Sequence, residues 1–261
     1  MDERLALEVV EGADVVVHLA ANAGVALSVE DPRGDCAVNV LGTLNYLEAA
    51  RHAGVKRFVF ASSGAPVGEV EPPVHEELAP HPVSPYGASK LAGEGYCSAY
   101  WRTFGVPTVV LRFGNVYGPG SGHKTSVVAR FVKQAMAGQA LEVYGDGRQT
   151  RDFIYVDDLV QAVKLAATTQ TASGETFQIA TNAETTVGEL VDRLLPILAA
   201  AGVRGVDVHH ATRRPGDIRR NFSDTSKARA MLDWEAGVEL EEGLRHTVAF
   251  FAERMRSGGS D

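Results

Sequence analysis

Short apolar runs alternate with helical segments through the first half of the chain. A strand that is apolar at successive positions is usually covered on both faces, as in a parallel sheet flanked by helices. The predicted strands are Val15–Leu19, Arg57–Ala61 and Thr108–Phe113. The predicted helices cover residues 2–10, 34–53 and 86–104, with Gly12, Gly54 and Gly105 after them. This order is typical of right-handed βαβ units and predicts an α/β fold with a Rossmann-type, doubly wound parallel sheet.

The pattern loosens after Pro119 and indicates a smaller α/β lobe. Helices are predicted over residues 126–137, 157–167 and 187–200, with short strands over 141–144, 152–156, 176–179 and 206–209. Thr186-Val-Gly-Glu189 fits a capping box, and Asp157 and Asp158 favour a helix start. We therefore expect a partial Rossmann domain over 1–120 and a substrate lobe over 121–255, some of whose segments return to the sheet. Residues 256–261 are predicted to be a disordered tail.

Composition narrows the functional classes. The chain is 45% hydrophobic and 22% charged, with a formal net charge of −8, so it has no basic footprint for nucleic acid or an anionic membrane. It has no apolar stretch long enough to predict a membrane span. Cys36 and Cys97 lack metal-ligand spacing and are expected to be reduced thiols, which favours the cytoplasm; we expect no metal site.

The candidate chemistry begins in the segment SPYGASK. Tyr86 and Lys90 stand four residues apart, so on a helix they point the same way. An ammonium beside a phenol lowers the pKa of the tyrosine and makes it a usable base. Alone, the spacing is a weak signal, since an exposed helix start with an unrelated Tyr and Lys fits it too. The strand before it ends in Ser62 and Ser63, where a parallel sheet delivers polar groups to a ligand.

Several motifs occur together in one order along almost the whole chain. They are ADVVVHLAA, VNVLGT with Asn39, FVFASS, SPYGASK, LRFGNVYGP, RQTRDFIYVDDL and RPGD. In that order and spacing they resemble the extended short-chain dehydrogenase/reductase family. Within it, the resemblance is strongest to the NAD-dependent sugar-nucleotide epimerases and dehydratases, above all the UDP-glucose 4-epimerases. Seven motifs in sequence are far more specific than any one alone.

The resemblance implies a role for each matching residue. Tyr86 would be the active-site base, Lys90 its partner that also holds the nicotinamide ribose, and Ser63 a hydrogen-bond partner of the C4 hydroxyl. The residues implied to bind NAD are Leu19, Ala20, Ala21, Asn39, Ala61, Ser62, Tyr86, Lys90 and Phe113. The C4 hydroxyl would be oxidised to a 4-keto intermediate and reduced again from the other face, with no net redox change.

A UDP-sugar is the substrate that the resemblance implies. Asn115, Arg151 and Arg214 would hold the diphosphate, Tyr144 would stack on uracil, and Asp217 would bind a ribose hydroxyl. Without the resemblance, the two arginines read as surface charges and Tyr144 as core. His18 is expected to be a strand histidine with a local partner. A homodimer through the helices over 34–53 and 86–104 is expected by analogy alone.

The residues after Ser63 favour epimerisation over dehydration. The resembling 4,6-dehydratases have an Asp-Glu pair there, and the related uronate decarboxylases have a carboxylate. Here Gly64 and Ala65 follow, and neither can move a proton. A 4,6-dehydratase or a reductase remains the alternative enzyme. Val67 stands where the family usually has tyrosine, which leaves an N-acetylated or uronic acid sugar open through a wider pocket.

The glycine-rich phosphate loop of the family, G-x-x-G-x-x-G, is absent from the sequence. By the size of βαβ units, roughly 50–60 residues with three strands and two helices are expected to be missing before Asp2, so we expect the strand Val15–Leu19 at a sheet edge. A fragment or misplaced start, a remnant that pairs with another chain, and a rearranged cofactor site are the three explanations. If the chain holds the cofactor, we expect an active epimerase. If it does not, we expect an epimerase that is inactive in this form, or a non-catalytic UDP-sugar-binding module.

Overall fold

A computed structural model describes residues 2–213 and 218–257. The strands are β1 Val15–His18, β2 Arg57–Ser63, β3 Thr108–Phe113, β4 Asn115–Tyr117, β5 Leu141–Tyr144, β6 Thr150–Arg151, β7 Phe153–Tyr155, β8 Thr176–Ile179, β9 Thr185–Thr186 and β10 Val208–Ala211. The helices are α1 Glu3–Val10, α2 Val25–Glu30, α3 Pro32–Cys36, α4 Gly42–Ala53, α5 Pro85–Phe104, α6 Val127–Met136, α7 Val156–Thr168, α8 Val187–Ala200, α9 Ser226–Leu232 and α10 Leu240–Arg256. A π-helical turn, Ala37–Leu41, joins α3 to α4, and Gln170–Ala172 is a 3₁₀ turn.

The chain divides into two compact units. The first comprises Met1–Phe113, Val160–Ile179 and Asp224–Glu235, and the second comprises Gly114–Leu159, Ala180–Ser223 and Ala236–Asp261. Each unit is built from segments that are distant in sequence, because the chain leaves each unit and returns to it.

A four-stranded parallel sheet forms the centre of the first unit, in the order β1-β2-β3-β8. In register, Val59 of the central strand β2 lies between Val17 of β1 and Val109 of β3. Strands β2 and β3 are buried along almost their whole length. This burial, the parallel pairing and the mixed α/β composition confirm the predicted Rossmann-type sheet.

Helix α5 packs closely on β2 because Gly93 has no side chain. A Cβ atom at this position would lie only 2.4 Å from the ring of Phe60. Cys97 and Tyr100 of the same helix enter a buried apolar cluster with Phe60 and Leu47 of α4. Both cysteines, Cys36 and Cys97, are free thiols. The close approach of α5 fixes the start of this helix beside the end of β2.

Strand β1 lies at one edge of the sheet, as expected, and pairs only with β2 within the described residues. The prediction that this strand is covered on both faces is wrong. Val15 is 38% exposed, Val17 is 39% exposed and Leu19 is 61% exposed. The apolar run is nearly unbroken, but burial depends on neighbouring elements, and the described residues place none on its outer side.

Among its described residues, the second unit contains three small two-stranded sheets. β10 pairs with β5 and β4 with β7 in parallel, and β6 pairs with β9 antiparallel. Its apolar core includes Phe131, Leu141, Leu190, Leu194 and Leu244. The capping box at Thr186 and Glu189 is present as predicted, with both reciprocal hydrogen bonds.

Several elements differ from the sequence predictions. The helix predicted over 34–53 is divided by the π-helical turn, and the strand predicted over 206–209 is displaced to Val208–Ala211. Short elements such as α2 and β4, and the helices α9 and α10, were not predicted. Arg256 belongs to α10 rather than to a disordered tail, and residues 258–261 lie outside the described residues. In the described part of the chain, none of the helices has the length and apolar character that crossing a membrane requires.

Candidate active site

The end of β2 and the start of α5 bring Ser63 and Tyr86 together. Ser84 caps α5, and its hydroxyl accepts a hydrogen bond from Gly87 N at 3.1 Å. Gly87 permits the approach, because a Cβ there would lie 2.6 Å from the carbonyl oxygen of Ala65. Ser63, the last residue of β2, forms a side-chain hydrogen bond with Tyr86. The local sequence thus places two hydroxyl groups side by side.

Burial dominates the pKa of Tyr86 in this structure. Desolvation raises the pKa above its ordinary value, the hydrogen bond from Ser63 opposes this by favouring the phenolate, and the charge of Asp35 raises it further. The sequence predicts a lowered pKa for Tyr86, whereas in the protein alone this pKa is raised. The spacing placed Lys90 correctly but contained no information on how far the tertiary structure desolvates the phenol.

Lys90 lies in a buried position one helical turn after Tyr86. Its side chain is 4% exposed, and Nζ lies 5.9 Å from the centre of the Tyr86 ring. Nζ donates a hydrogen bond to the carbonyl oxygen of Ala61 at 2.9 Å. Burial lowers the pKa of Lys90 to about 8, against the opposing charges of Asp35 and Glu94. The ammonium is thus held beside the end of β2, close to the predicted base.

Asn39 links the loop after β1 to α5. Its Nδ2 donates to Asn22 O at 3.1 Å and to Ser89 Oγ at 3.1 Å, and its Oδ1 accepts from Asn22 N at 2.8 Å. Asn39 occupies the π-helical turn, a feature frequent at functional sites. The loop residues Leu19, Ala20 and Ala21 directly precede Asn22. The structure therefore brings the predicted cofactor residues of this loop near the first turn of α5.

A buried ion pair joins β3 to α5 next to this site. Arg112 of β3 donates two hydrogen bonds to Glu94 of α5, at 2.9 and 2.7 Å. The hydroxyl of Ser62 donates to the same carboxylate at 2.5 Å. Ser62, predicted to bind the cofactor, therefore directs its side chain to Glu94. Phe113, also predicted to contact the cofactor, is half-buried at the end of β3.

The predicted diphosphate and nucleoside residues that the structure describes lie in the second unit. Asn115 begins β4, and its N–H donates to Asp152 O at 2.8 Å. Nη1 of Arg151 donates to the carbonyl oxygens of Thr150 at 2.6 Å and Ile218 at 2.8 Å. The ring of Tyr144 lies 4.6 Å below the guanidinium of Arg130, and its hydroxyl donates to Glu142. Arg214 and Asp217 lie outside the described residues.

The first unit fits the nicotinamide end of a dinucleotide. An ammonium has three N–H donors, and Ala61 O is the acceptor of Lys90 Nζ in the part of the chain that is described. Donors thus remain for ribose hydroxyls, at the carboxyl end of parallel strands where nucleotides bind in such sheets. We assign the cofactor's diphosphate to none of the described residues.

Comparison with known proteins now decides the family. A family model described as the NAD dependent epimerase/dehydratase family matches residues 1–180. The chain belongs to the NAD-dependent epimerase/dehydratase family. The NAD dependence in this description agrees with the cofactor expected from the sequence. Membership also agrees with the parallel sheet and with the pair of Tyr86 and Lys90.

Two curated members of the NAD-dependent epimerase/dehydratase family show the range of its reactions. The chain is 38% identical to a UDP-glucose 4-epimerase of Mycolicibacterium smegmatis over 93% of this chain and 77% of that protein. It is 33% identical to a dTDP-glucose 4,6-dehydratase of Haemophilus influenzae, over 91% of this chain and 76% of that protein.

Two solved structures from the same family superpose closely. A UDP-glucose 4-epimerase of Thermotoga maritima, solved with UDP-glucose, matches with a TM-score of 0.91 and 38% identity, over 97% of this chain and 82% of that one. A UDP-glucuronic acid 4-epimerase of Bacillus cereus, solved with UDP-glucuronic acid and NAD, matches with a TM-score of 0.87 and 30% identity, over 98% and 81%. The fold of the epimerase/dehydratase family is therefore shown.

Sequence reasoning missed one residue of this site. Asp35 is 2% exposed, and its carboxylate accepts a hydrogen bond from Asn39 at 2.9 Å. The available signal was its spacing, because residues four apart share a helix face and Asn39 was already singled out. Its burial became visible only in the packed structure.

Proposed function

We propose that the chain is an NAD-dependent nucleotide-sugar epimerase that inverts C4 of a UDP-sugar through a 4-keto intermediate. The observation that supports this most directly is the placement of Ser63, Tyr86 and Lys90 at one end of β2. Gly64 and Ala65 follow Ser63 and supply no further acid or base. One acid–base group suffices for epimerisation, whereas dehydration needs more.

The first unit would hold the nicotinamide end of NAD. Tyr86 and Lys90 would contact the ribose, and the predicted border residues are Leu19, Ala20, Ala21, Asn39, Ala61 and Phe113. NAD⁺, when bound, supplies a hydride acceptor and a positive charge that favours the phenolate of Tyr86. Lys90, buried and held by Ala61 O, contributes a second positive charge on the same side.

Ser63 and Tyr86 would share the proton transfer at the C4 hydroxyl. The phenolate of Tyr86 accepts the proton from that hydroxyl and returns it when the keto group is reduced. Ser63, whose side chain is hydrogen-bonded to the phenol of Tyr86 in the protein alone, can donate instead to the sugar oxygen. This exchange lets Ser63 orient the substrate and leaves Tyr86 free to take the proton.

We assign the rest of the substrate to residues implied by the resemblance. Asn115, Arg151 and Arg214 would bind the diphosphate, Tyr144 would stack on the uracil, and Asp217 would bind a ribose hydroxyl. The guanidinium of Arg130 already lies on one face of the Tyr144 ring. Tyr144 therefore has a cation against its ring.

The sugar itself is proposed as glucose and its C4 epimer. The uronic acid alternative was raised by Val67, which replaces a usual tyrosine. Val67 has no exposed surface, and its backbone N–H donates to Gly64 O at 3.2 Å. A fully buried valine does not support a widened pocket at this position. UDP-glucuronic acid and UDP-N-acetylglucosamine are therefore comparison substrates in the experiment.

A homodimer in the cytoplasm completes the proposal. The proposed dimer surface is formed by α4 and α5, and on α5 the side chains of Tyr96 and Phe104 are exposed. Large aromatic side chains on a helix surface are typical of residues that a partner covers. Analytical ultracentrifugation of the purified chain tests this part separately from catalysis.

The deciding experiment measures cofactor and turnover on the same preparation. The purified chain is denatured and the supernatant assayed for NAD, and a native sample with added NAD⁺ is incubated with UDP-galactose, UDP-glucuronic acid or UDP-N-acetylglucosamine. We expect conversion of UDP-galactose to UDP-glucose, with at least a 100-fold loss in Tyr86→Phe, whose fold is checked by its melting temperature.

Two results would contradict the proposal. A 4-keto-6-deoxy product would identify a dehydratase. UDP-sugar binding without NAD binding or turnover would identify the non-catalytic module, and in that case Tyr86→Phe would not change the affinity for the nucleotide sugar.

A further inference from the structure

The two oxygens of the buried Asp35 carboxylate differ in their hydrogen bonding. Oδ1 accepts the hydrogen bond from Asn39 Nδ2 at 2.9 Å. Oδ2 is buried and, within the part of the chain that the structure describes, has no hydrogen-bond partner. A buried carboxylate normally has a cation or several donors as partners, because desolvation of its charge is costly. Asp35 therefore requires an explanation that its hydrogen bond alone does not give.

Hydrogen bonds connect Asp35 to the first turn of α5. Asn39 donates to Asp35 and also to Ser89 Oγ at 3.1 Å. Ser89 in turn donates to the backbone carbonyl of Tyr86 at 3.0 Å. Helix α3, which contains Asp35, packs directly against α5. The carboxylate is thus tied, through two side chains, to the helical turn that presents Tyr86 and Lys90.

The titratable groups around Lys90 come from three elements. Asp35 acts on it from α3, Glu94 from α5 itself, and His18 from β1. Glu94 is already balanced by its two hydrogen bonds from Arg112 of β3. Burial lowers the pKa of His18 to about 4, so this imidazole is neutral at neutral pH. Of these groups, Asp35 is the negative charge without a cation in hydrogen-bond contact among the described residues.

We propose that Asp35 is the counter-charge of Lys90: its buried carboxylate, tied to α5 through Asn39 and Ser89, balances the Lys90 ammonium beside Tyr86. Its importance for catalysis rests on the proposed function of Tyr86 and Lys90. Asp35 is a positioning residue, because it acts on the reacting groups through others. It keeps a desolvated ammonium charged, and the same negative charge opposes ionisation of Tyr86. Asp35 thus affects the pH at which a charged lysine and a phenolate coexist.

The test is a direct titration of Lys90 that needs neither NAD nor turnover. Lysine is isotopically labelled at its ε-carbon, and the Lys90 signal is assigned by its loss in Lys90→Met. The pH midpoint of the Lys90 titration is then measured by NMR in the unchanged chain, in Asp35→Asn and in Asp31→Asn. Asp35→Asn keeps a side-chain oxygen for Asn39 and removes the charge. Asp31→Asn is the matched control, because Asp31 caps the same helix and is exposed.

We expect the Lys90 midpoint near 8 in the unchanged chain and in Asp31→Asn. In Asp35→Asn it should fall by on the order of one pH unit, and Asp35→Glu should restore it, because the charge returns. Equal midpoints in the unchanged chain and in folded Asp35→Asn would overturn the proposal.

Folding is checked by circular dichroism, and Asp35→Ser replaces Asp35→Asn if the latter does not fold. Failure of both to fold would also overturn the proposal, because Asp35 would then be a structural carboxylate. Absence of epimerase activity would contradict the proposed function but would leave the titration of Lys90 decisive for Asp35.

Discussion

His18 is a buried histidine whose side chain is satisfied within the first unit. The hydroxyl of Thr43 donates to Asn39 O at 2.6 Å, so it is left to accept from Nε2–H of His18 at 3.1 Å. The ring also packs near Tyr46, Phe58 and Phe60. This arrangement confirms the sequence-based interpretation of His18 as a strand histidine with a local partner. It also makes protonation of the ring costly.

The pKa of His18 predicts a loss of stability in acid. Burial lowers the pKa to about 4 from 6.5, so the unfolded state binds more protons between these values. The contribution of His18 to the free energy of unfolding is fully present above pH 6.5 and is lost as the pH falls toward 4. The total loss is roughly 3 kcal/mol. The free energy of unfolding is measured with urea at pH 7 and at pH 5. Between these pH values it should decrease less in His18→Gln than in the unchanged chain. The control is His52→Gln, at an exposed histidine, which should lose as much free energy of unfolding as the unchanged chain. An equal loss in the unchanged chain, His18→Gln and His52→Gln would contradict the assignment of the acid sensitivity to His18.

The ion pair of Glu94 and Arg112 gives a second prediction at the residue scale. Glu94→Gln leaves the Arg112 guanidinium buried without its counter-charge, and we expect a loss of about 3 kcal/mol in the free energy of unfolding. The control is Glu184→Gln, which breaks a pair with Arg220 of similar geometry at a more exposed place. That change should cost less than about 1 kcal/mol. Equal losses, measured by urea unfolding at pH 7, would show that burial does not set the strength of the pair.

The packing of α5 on β2 can be tested at two glycines of one helix. Gly93→Ala places a methyl group against the Phe60 ring, and we expect a loss of about 1–3 kcal/mol in the free energy of unfolding. Gly95→Ala is the control, because nothing lies within 4 Å of the added Cβ there. It should stabilise the helix by about 0.5–1 kcal/mol. The urea midpoint of unfolding should therefore fall in Gly93→Ala and rise in Gly95→Ala. A higher midpoint in Gly93→Ala would show that the Phe60 ring has room to move.

Elements with a strong local pattern were predicted from the sequence. Strand β3 and helix α8 have the predicted bounds, because a β-branched and mostly apolar run defines the first and a capping box the start of the second. Helix α5 is one residue longer than predicted at its start, since Pro85 fits the first turn after the Ser84 cap. Helix α2 was missed because it has only 6 residues, too few for a helical period to be recognised in the sequence. The π-helical turn was missed because its residues continue the helical pattern of 34–53.

The site was predicted less completely than the fold. Ser63, Tyr86 and Lys90 lie near the end of β2 and the start of α5, because strand order and helix spacing determine their positions. Asn39, which the resemblance implied, is hydrogen-bonded to Ser89 of α5. The pKa of Tyr86 was predicted in the wrong direction, and Asp35 was not assigned any role. Both depend on how much water the folded chain excludes around a group, and a local pattern does not contain that quantity.

The exposed edge of β1 affects the behaviour of the whole molecule. Within the described residues, β1 pairs with β2 along one edge and has no strand partner along the other. Such an edge with apolar side chains is a template for pairing with another chain, and a lysine on it opposes that pairing. Val17→Lys should therefore slow the growth of assemblies larger than a dimer, followed by light scattering at rising protein concentration and pH 7. Val160→Lys is the control, because it replaces an exposed valine of α7 with the same charge away from the edge. If both variants slow assembly equally, net charge rather than the β1 edge controls association. If only Val17→Lys does, the edge that the apolar run Val15–His18 presents is the surface through which the chains meet.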